Sequence, residues 1–151
     1  MTGPSDASGE GCCPAIVHAS CVALDGRALL IAGASGSGKS ALALALMGLG
    51  AALVADDRVQ LVCRNGRLLA DAPPPIRGLI EARGVGLLPA HPAGLTPVVA
   101  VVDLDSEETE RLPPPRQTVL LGVALPQFRK VGAAHFPPAL IQYLKAGRQD
   151  A

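Results

Sequence analysis

An apolar run from Arg27 to Ala32 leads directly into Gly33-Ala34-Ser35-Gly36-Ser37-Gly38-Lys39-Ser40, and that stretch leads directly into the Ala- and Leu-rich segment Ser40 to Leu49. Few chains can satisfy this order except as strand, tight loop and helix. Gly33, Gly36 and Gly38 permit positive φ, so the backbone can curl its N–H groups around phosphate oxygens. Lys39 adds a point charge, Ser40 offers a hydroxyl to Mg²⁺, and the following helix aims its positive end at the same place. The pattern predicts a phosphate-binding P-loop, with Gly33, Ala34, Ser35, Gly36, Ser37, Gly38, Lys39 and Ser40 binding a nucleoside triphosphate together with a divalent metal.

The flanks restrict the architecture further. Ala15 to Leu24 is β-rich, Asp25-Gly26 is a two-residue turn signal, and the hairpin it predicts runs into the loop. Gly48 and Gly50 mark the end of the helix. Ala51 to Ala55 reads as a short strand ending at Asp56-Asp57, and Val59 to Cys63 is expected to pair with Arg67 to Ala70 across Asn65-Gly66. Pro73-Pro74-Pro75 reads as an extended loop. Pro97 to Leu104 is the most hydrophobic strand candidate, Pro113 to Pro115 a rigid connector, and Thr118 to Leu125 the last strand. Pro137-Pro138 opens a terminal helix through about Ala146. The expectation is a strand-rich α/β fold with hairpins and few helices. Residues 1–12 read as a disordered start, 13–147 as a single domain and 148–151 as a tail.

Composition excludes several classes of function. Lys plus Arg and Asp plus Glu each number 13 in a chain of 151 residues, so there is no basic excess for nucleic acid. Two Phe, one Tyr and no Trp leave little for stacking on bases. The first residues carry no basic segment followed by an apolar run, and no stretch reaches membrane-spanning length, so a cytoplasmic protein is expected. Cys12, Cys13, Cys21 and Cys63, even with His18 nearby, fit no zinc spacing and read as buried or idle thiols.

Four further groups are candidates for chemistry. Asp56 and Asp57 end a strand shortly after the P-loop helix, where one carboxylate can hold Mg²⁺ and the other can move a proton, provided the chain bends there; a solvated turn is the alternative. Glu81 and Arg83 alternate ahead of Gly84-Val85-Gly86, a spacing that suits a metal-ligand carboxylate beside a phosphate-binding Arg and equally a surface ion pair. His18 on the first strand is either core filling or a pH-responsive group near the nucleotide. Arg129, with Lys130, reads as part of a basic loop between the last strand and the final helix that either clamps a phosphoryl group or is merely solvated.

Taken together in their order, His18, Asp25-Gly26, Gly33 to Ser40, Val54-Ala55-Asp56-Asp57 and Glu81-Ala82-Arg83-Gly84-Val85-Gly86 resemble the C-terminal catalytic domain of HPr kinase/phosphorylase. The resemblance covers about two-thirds of the chain. It implies a P-loop kinase fold related to phosphoenolpyruvate carboxykinase, and an ATP- and Mg²⁺-dependent enzyme that phosphorylates a serine of an HPr-like phosphocarrier protein. Full-length members also remove that phosphate by phosphorolysis.

Carried over by residue, the resemblance makes Asp57 the proton acceptor and gives Asp56 a supporting role toward metal or proton. Lys39 would bind the β- and γ-phosphates, while Ser40 and Glu81 would hold metal. It also implies a homo-oligomer, a hexamer in the family, while the balanced charge and the lack of a spanning stretch lead to the expectation of no nucleic-acid or membrane partner. Three departures from the family pattern are read: the separate N-terminal domain is expected to be missing, Ala41 stands where an acidic residue is common, and Phe128-Arg129-Lys130-Val131-Gly132 replaces a Pro-Gly-Arg-Asn stretch. The short form found in some proteobacteria is the nearest pattern. A kinase for a small metabolite and a non-catalytic ATP-sensing module are the rival expectations.

Overall fold

The computed structural model describes residues 14–149, so the expected disordered start and the thiols of Cys12 and Cys13 lie outside the described residues. In chain order the strands are β1 (Ala15–Val17), β2 (Ala19–Leu24), β3 (Arg27–Ala32), β4 (Ala52–Ala55), β5 (Val59–Arg64), β6 (Arg67–Asp71), β7 (Leu79–Ala82), β8 (Gly86–Pro89), β9 (Thr96–Glu107), β10 (Gln117–Leu120) and β11 (Val123–Lys130). Helix α1 (Lys39–Gly48) follows β3, and α2 (Phe136–Ala146) follows β11.

The expected two-residue turns are present. Asp25 and Gly26 take φ of 53° and 75° between β2 and β3, and Asn65 and Gly66 take 54° and 74° between β5 and β6. Asn and Asp tolerate this left-handed geometry better than other side chains, and Gly tolerates it freely.

Most strands join one sheet in the order β1-β5-β6-β9-β3-β2-β4, with β11 also on β9 and β10 on β11. The strand at its centre is β9. It runs parallel to β3, from Ala28 opposite Val98 to Ala32 opposite Asp103, and parallel to β11 over Val101 to Glu107. Parallel strands need cover on both faces, and alternation along β3 supplies apolar groups to each. Leu29 and Ile31 pack with Val22, Ala100 and Val102 beneath Leu42 and Leu46 of α1 and Leu140 and Leu144 of α2. Ala28 and Leu30 point the other way and pack with Val101, Leu61, Leu68 and Leu125.

Four local expectations are corrected. Ala15 to Leu24 is not one strand but two, broken by a bend at His18. The proline run is not wholly extended: Pro74–Ile76 forms a 3-10 turn, which a proline at its first position favours because its φ is already helical. Thr118 to Leu125 is not a single strand, since Leu121 and Gly122 turn the chain at φ of 48° and 78° and β11 begins beyond them. Arg129 and Lys130 are consequently strand residues of β11 rather than loop residues, held by pairing to β9. The terminal helix begins at Phe136, as the paired prolines suggest. Among the described residues no helix is long and apolar enough to cross a membrane.

Candidate active site

Strands β3 and β4 each run antiparallel to β2, which lies between them, so both deliver their C-terminal ends to one edge of the sheet. From β3 the chain enters the glycine-rich loop. From β4 it enters Asp56-Asp57. The chain turns at the end of β4, where Asp57 adopts φ of 70°.

Asp56 turns inward and is only 7% exposed. Its Oδ1 accepts hydrogen bonds from the hydroxyls of Ser40 at 2.6 Å and Ser20 at 2.9 Å, and its Oδ2 accepts the backbone N–H of Glu81 at 3.1 Å. A carboxylate so buried stays tolerable through such bonds. This one ties together the first turn of α1, strand β2 and strand β7.

Asp57 turns outward. Its side chain is 65% exposed, with Oδ1 3.8 Å from Nδ1 of His18, itself 82% exposed at the bend between β1 and β2. The backbone of Asp57 is fixed while its carboxylate is free: its carbonyl accepts the N–H of Ala19 at 3.3 Å, and its N–H donates to Ser20 Oγ at 3.4 Å.

Within the loop, Lys39 is 8% exposed, and its Nζ donates to the carbonyls of Gly33 at 2.9 Å and Ala34 at 3.1 Å. Gly36 and Gly38 hold φ of 83° and 100° with open space where a Cβ would stand. Helix α1 has no side-chain cap and no acidic residue in its first turn. Its leading N–H groups therefore have no competing anion from the helix itself. Ser37 Oγ is buried without a partner.

The remaining sequence candidates are spread around this centre. Glu81 lies on β7 with its backbone on Asp56 and its side chain exposed. Arg83 does not share an extended segment with it: the strand ends at Ala82 and Arg83 begins the turn to β8, closed by Val85 N–H on Ala82 O at 2.9 Å. Arg129 on β11 is level with Asp103 on β9, which is level with Ala32 at the mouth of the loop. Two strand spacings place its backbone roughly 10 Å from that mouth. Sequence reasoning missed Ser20, whose signal was a hydroxyl inside the apolar run Ala19 to Ala23, and Asp105, whose two carboxylate oxygens each lie 3.0 Å from the N–H of Ala34.

The donors here suit a hard cation: a hydroxyl on Ser40 and carboxylates on Asp56 and Glu81, all oxygen. Among the described residues no three acidic, His or Cys side chains converge as a metal cage. Cys21 and Cys63 are free and buried, and burial pushes the Cys21 thiol far above its ordinary pKa, which fits the reading of idle thiols.

The family model of the HPr Serine kinase C-terminal domain matches residues 13–93, more than half of the chain. The chain belongs to this family. Its HPr kinase relatives include the HPr kinase/phosphorylase of Lactobacillus acidophilus, 40% identical over 73 residues, and that of Lactococcus lactis subsp. lactis, 45% identical over 73 residues. Each of these alignments covers 48% of this chain and only 23% and 24%, respectively, of the relative. A solved HPr(Ser) kinase/phosphatase from Coxiella burnetii superposes with a TM-score of 0.72 at 27% identity, covering 87% of this chain and 93% of that one. The strand-rich α/β fold with two helices is thus that of an HPr kinase catalytic domain.

Proposed function

We propose that this chain is an ATP- and Mg²⁺-dependent protein-serine kinase acting on an HPr-like phosphocarrier protein. The observation that carries the reading is the division of labour between adjacent carboxylates. Asp56 is buried on the Ser40 hydroxyl, and Asp57 stands exposed beside His18 at the same edge. The family relationship and the likeness to the Coxiella burnetii enzyme support the choice of a serine hydroxyl as acceptor.

In this mechanism Lys39 exchanges its two carbonyl partners for β- and γ-phosphate oxygens, and the loop amides with the N-terminus of α1 bind the same groups. Ser40, Asp56 and Glu81 would hold Mg²⁺, which when bound neutralises phosphate charge. Asp57 accepts the proton of the carrier's serine as its oxygen bonds to the γ-phosphorus, and the bond from that phosphorus to the β,γ-bridging oxygen breaks to release ADP. His18 lies close enough to orient Asp57. Arg83 and Arg129 would meet phosphoryl or carrier charge at the rim. In the reverse direction the protonated Asp57 returns its proton to the leaving serine oxygen as inorganic phosphate attacks.

The test is transfer of label from γ-labelled ATP to an HPr-type protein with Mg²⁺, comparing the chain with Asp57→Asn. Label on a carrier serine that is lost in the variant supports the proposal. Nucleotide binding with no label on the carrier in either form sinks it. Release of labelled pyrophosphate from phosphoserine carrier on adding inorganic phosphate tests the reverse reaction. Cytoplasmic location and a hexamer belong to the same reading through the family, and light scattering on the purified chain tests the second.

A further inference from the structure

The peptide unit joining Gly33 to Ala34 is gripped on both sides. Its carbonyl accepts from Lys39 Nζ at 2.9 Å, and its N–H donates to Asp105, with both carboxylate oxygens at 3.0 Å. In a planar trans peptide these two groups point in opposite directions. Turning one away from its partner must therefore turn the other. The Ala34 carbonyl is held as well, by Lys39 at 3.1 Å and by the N–H of Ser37 at 3.0 Å.

Asp105 does not reach the loop by chance of side-chain rotation alone. The carboxylate of Asp103 accepts the N–H of Asp105 at 2.9 Å and the hydroxyl of Ser106 at 3.0 Å, which shapes the end of β9. Between them Leu104 backs the loop so closely that a Cβ on Gly33 would lie 3.2 Å from Leu104 Cβ. The strand end and the loop entrance form one fitted joint.

We propose that Asp105 is a positioning residue of the nucleotide site, fixing the plane of the Gly33–Ala34 peptide and so the resting seat of Lys39. Its hydrogen bond lies at the opposite edge of that peptide from the ammonium group, so it orients the cradle from the side away from Lys39. A negative carboxylate this close to a triphosphate site would otherwise only weaken binding by like-charge repulsion. The inference rests on the nucleotide reading of the loop, but the bond it concerns exists in the free protein.

The experiment compares the full chain with Asp105→Ala and Asp105→Asn in two measurements. The first is hydrogen exchange at the Ala34 amide without nucleotide, and the second is steady-state kinetics in ATP with the carrier. Loss of a bond to a charged acceptor should speed Ala34 exchange about tenfold in the Ala variant. The KM for ATP should rise about fivefold or more while kcat changes little, since the residue acts on binding geometry.

The Asn variant keeps an acceptor oxygen and should recover most of both differences. Unchanged Ala34 exchange in Asp105→Ala overturns the proposal. So does tighter nucleotide binding in both variants, which would make Asp105 a competitor for the site. If Ala34 exchange responds as expected while even the unaltered chain binds no ATP, the anchor stands and the kinase reading falls.

Discussion

The hydroxyl of Ser40 donates to Oδ1 of Asp56 across 2.6 Å, and this bond fastens the first turn of α1 to the end of β4. With Ser20 and the Glu81 N–H on the same carboxylate, one side chain holds four parts of the chain in register around the glycine-rich loop.

Asp56→Ala should therefore lower stability by about 3 kcal/mol, because it strands buried donors on Ser20, Ser40 and Glu81 without an acceptor. Asp56→Asn should cost less, since one oxygen remains while the new amide faces a donor. Urea unfolding of the nucleotide-free chain measures both, and equal loss in the two variants would show that charge rather than the bonds matters.

Gly33→Ala should be destabilising for a steric reason. The added Cβ would come within 2.5 Å of Ser37 Oγ and 3.2 Å of both Ser37 Cβ and Leu104 Cβ. Overpacking of this kind costs about 1–3 kcal/mol. The pair Gly33→Ala with Ser37→Ala removes the closest of these contacts, so it should regain part of the loss; thermal midpoints of the single and double variants decide the point.

How much could be read beforehand depended on how local each interaction is. Asn65-Gly66 and Asp25-Gly26 announce their hairpins within four residues, and Gly33 to Ser40 announces its loop within eight. The turn at Leu121-Gly122 carries no such signal, because leucine rarely takes positive φ; the β10–β11 pairing imposes it. Arg129 looked like a loop residue because nothing near it in sequence shows that β9 lies alongside to pair with it. Asp105 was invisible for the same reason, acting on a residue 71 positions away. Asp56 and Asp57 were legible as a pair, but the burial of Asp56 depends on Ser20, Ser40 and Glu81, which are distant from it in sequence.

The ion pair between Glu108 and Arg116 predicts an acid-sensitive joint. Arg116 Nε and Nη2 each lie 3.0 Å from a carboxylate oxygen of Glu108, and the N–H groups of Thr109 and Glu110 add to them. The Arg116 hydrogen bond first, then the Glu110 N–H, hold the Glu108 carboxyl down at about 2. A carboxyl with a lowered folded pKa contributes stability that is whole above its unfolded value, about 4.3, and is lost as pH falls toward about 2. Glu108→Gln should remove that part of the pH dependence. Urea midpoints of the two proteins should differ most at neutral pH and converge toward pH 2.

Cys21 should resist alkylation in the native protein. It is fully buried, and burial disfavours the thiolate that reacts. Mass spectrometry after iodoacetamide should find Cys21 and Cys63 unmodified in buffer and modified in denaturant. Rapid native labelling of Cys21 would contradict the packing of β2 against β4.

The segment matched by the family model, residues 13–93, ends before β9 begins. Yet β9 is the strand that separates β6 from β3 and carries β11 on its far end. A fragment trimmed at residue 93 would keep the glycine-rich loop and both aspartates but expose two open sheet edges and the apolar flank of β3, a surface prone to self-association. The stretch matched by the family model thus depends on a strand outside it to join β6 to β3.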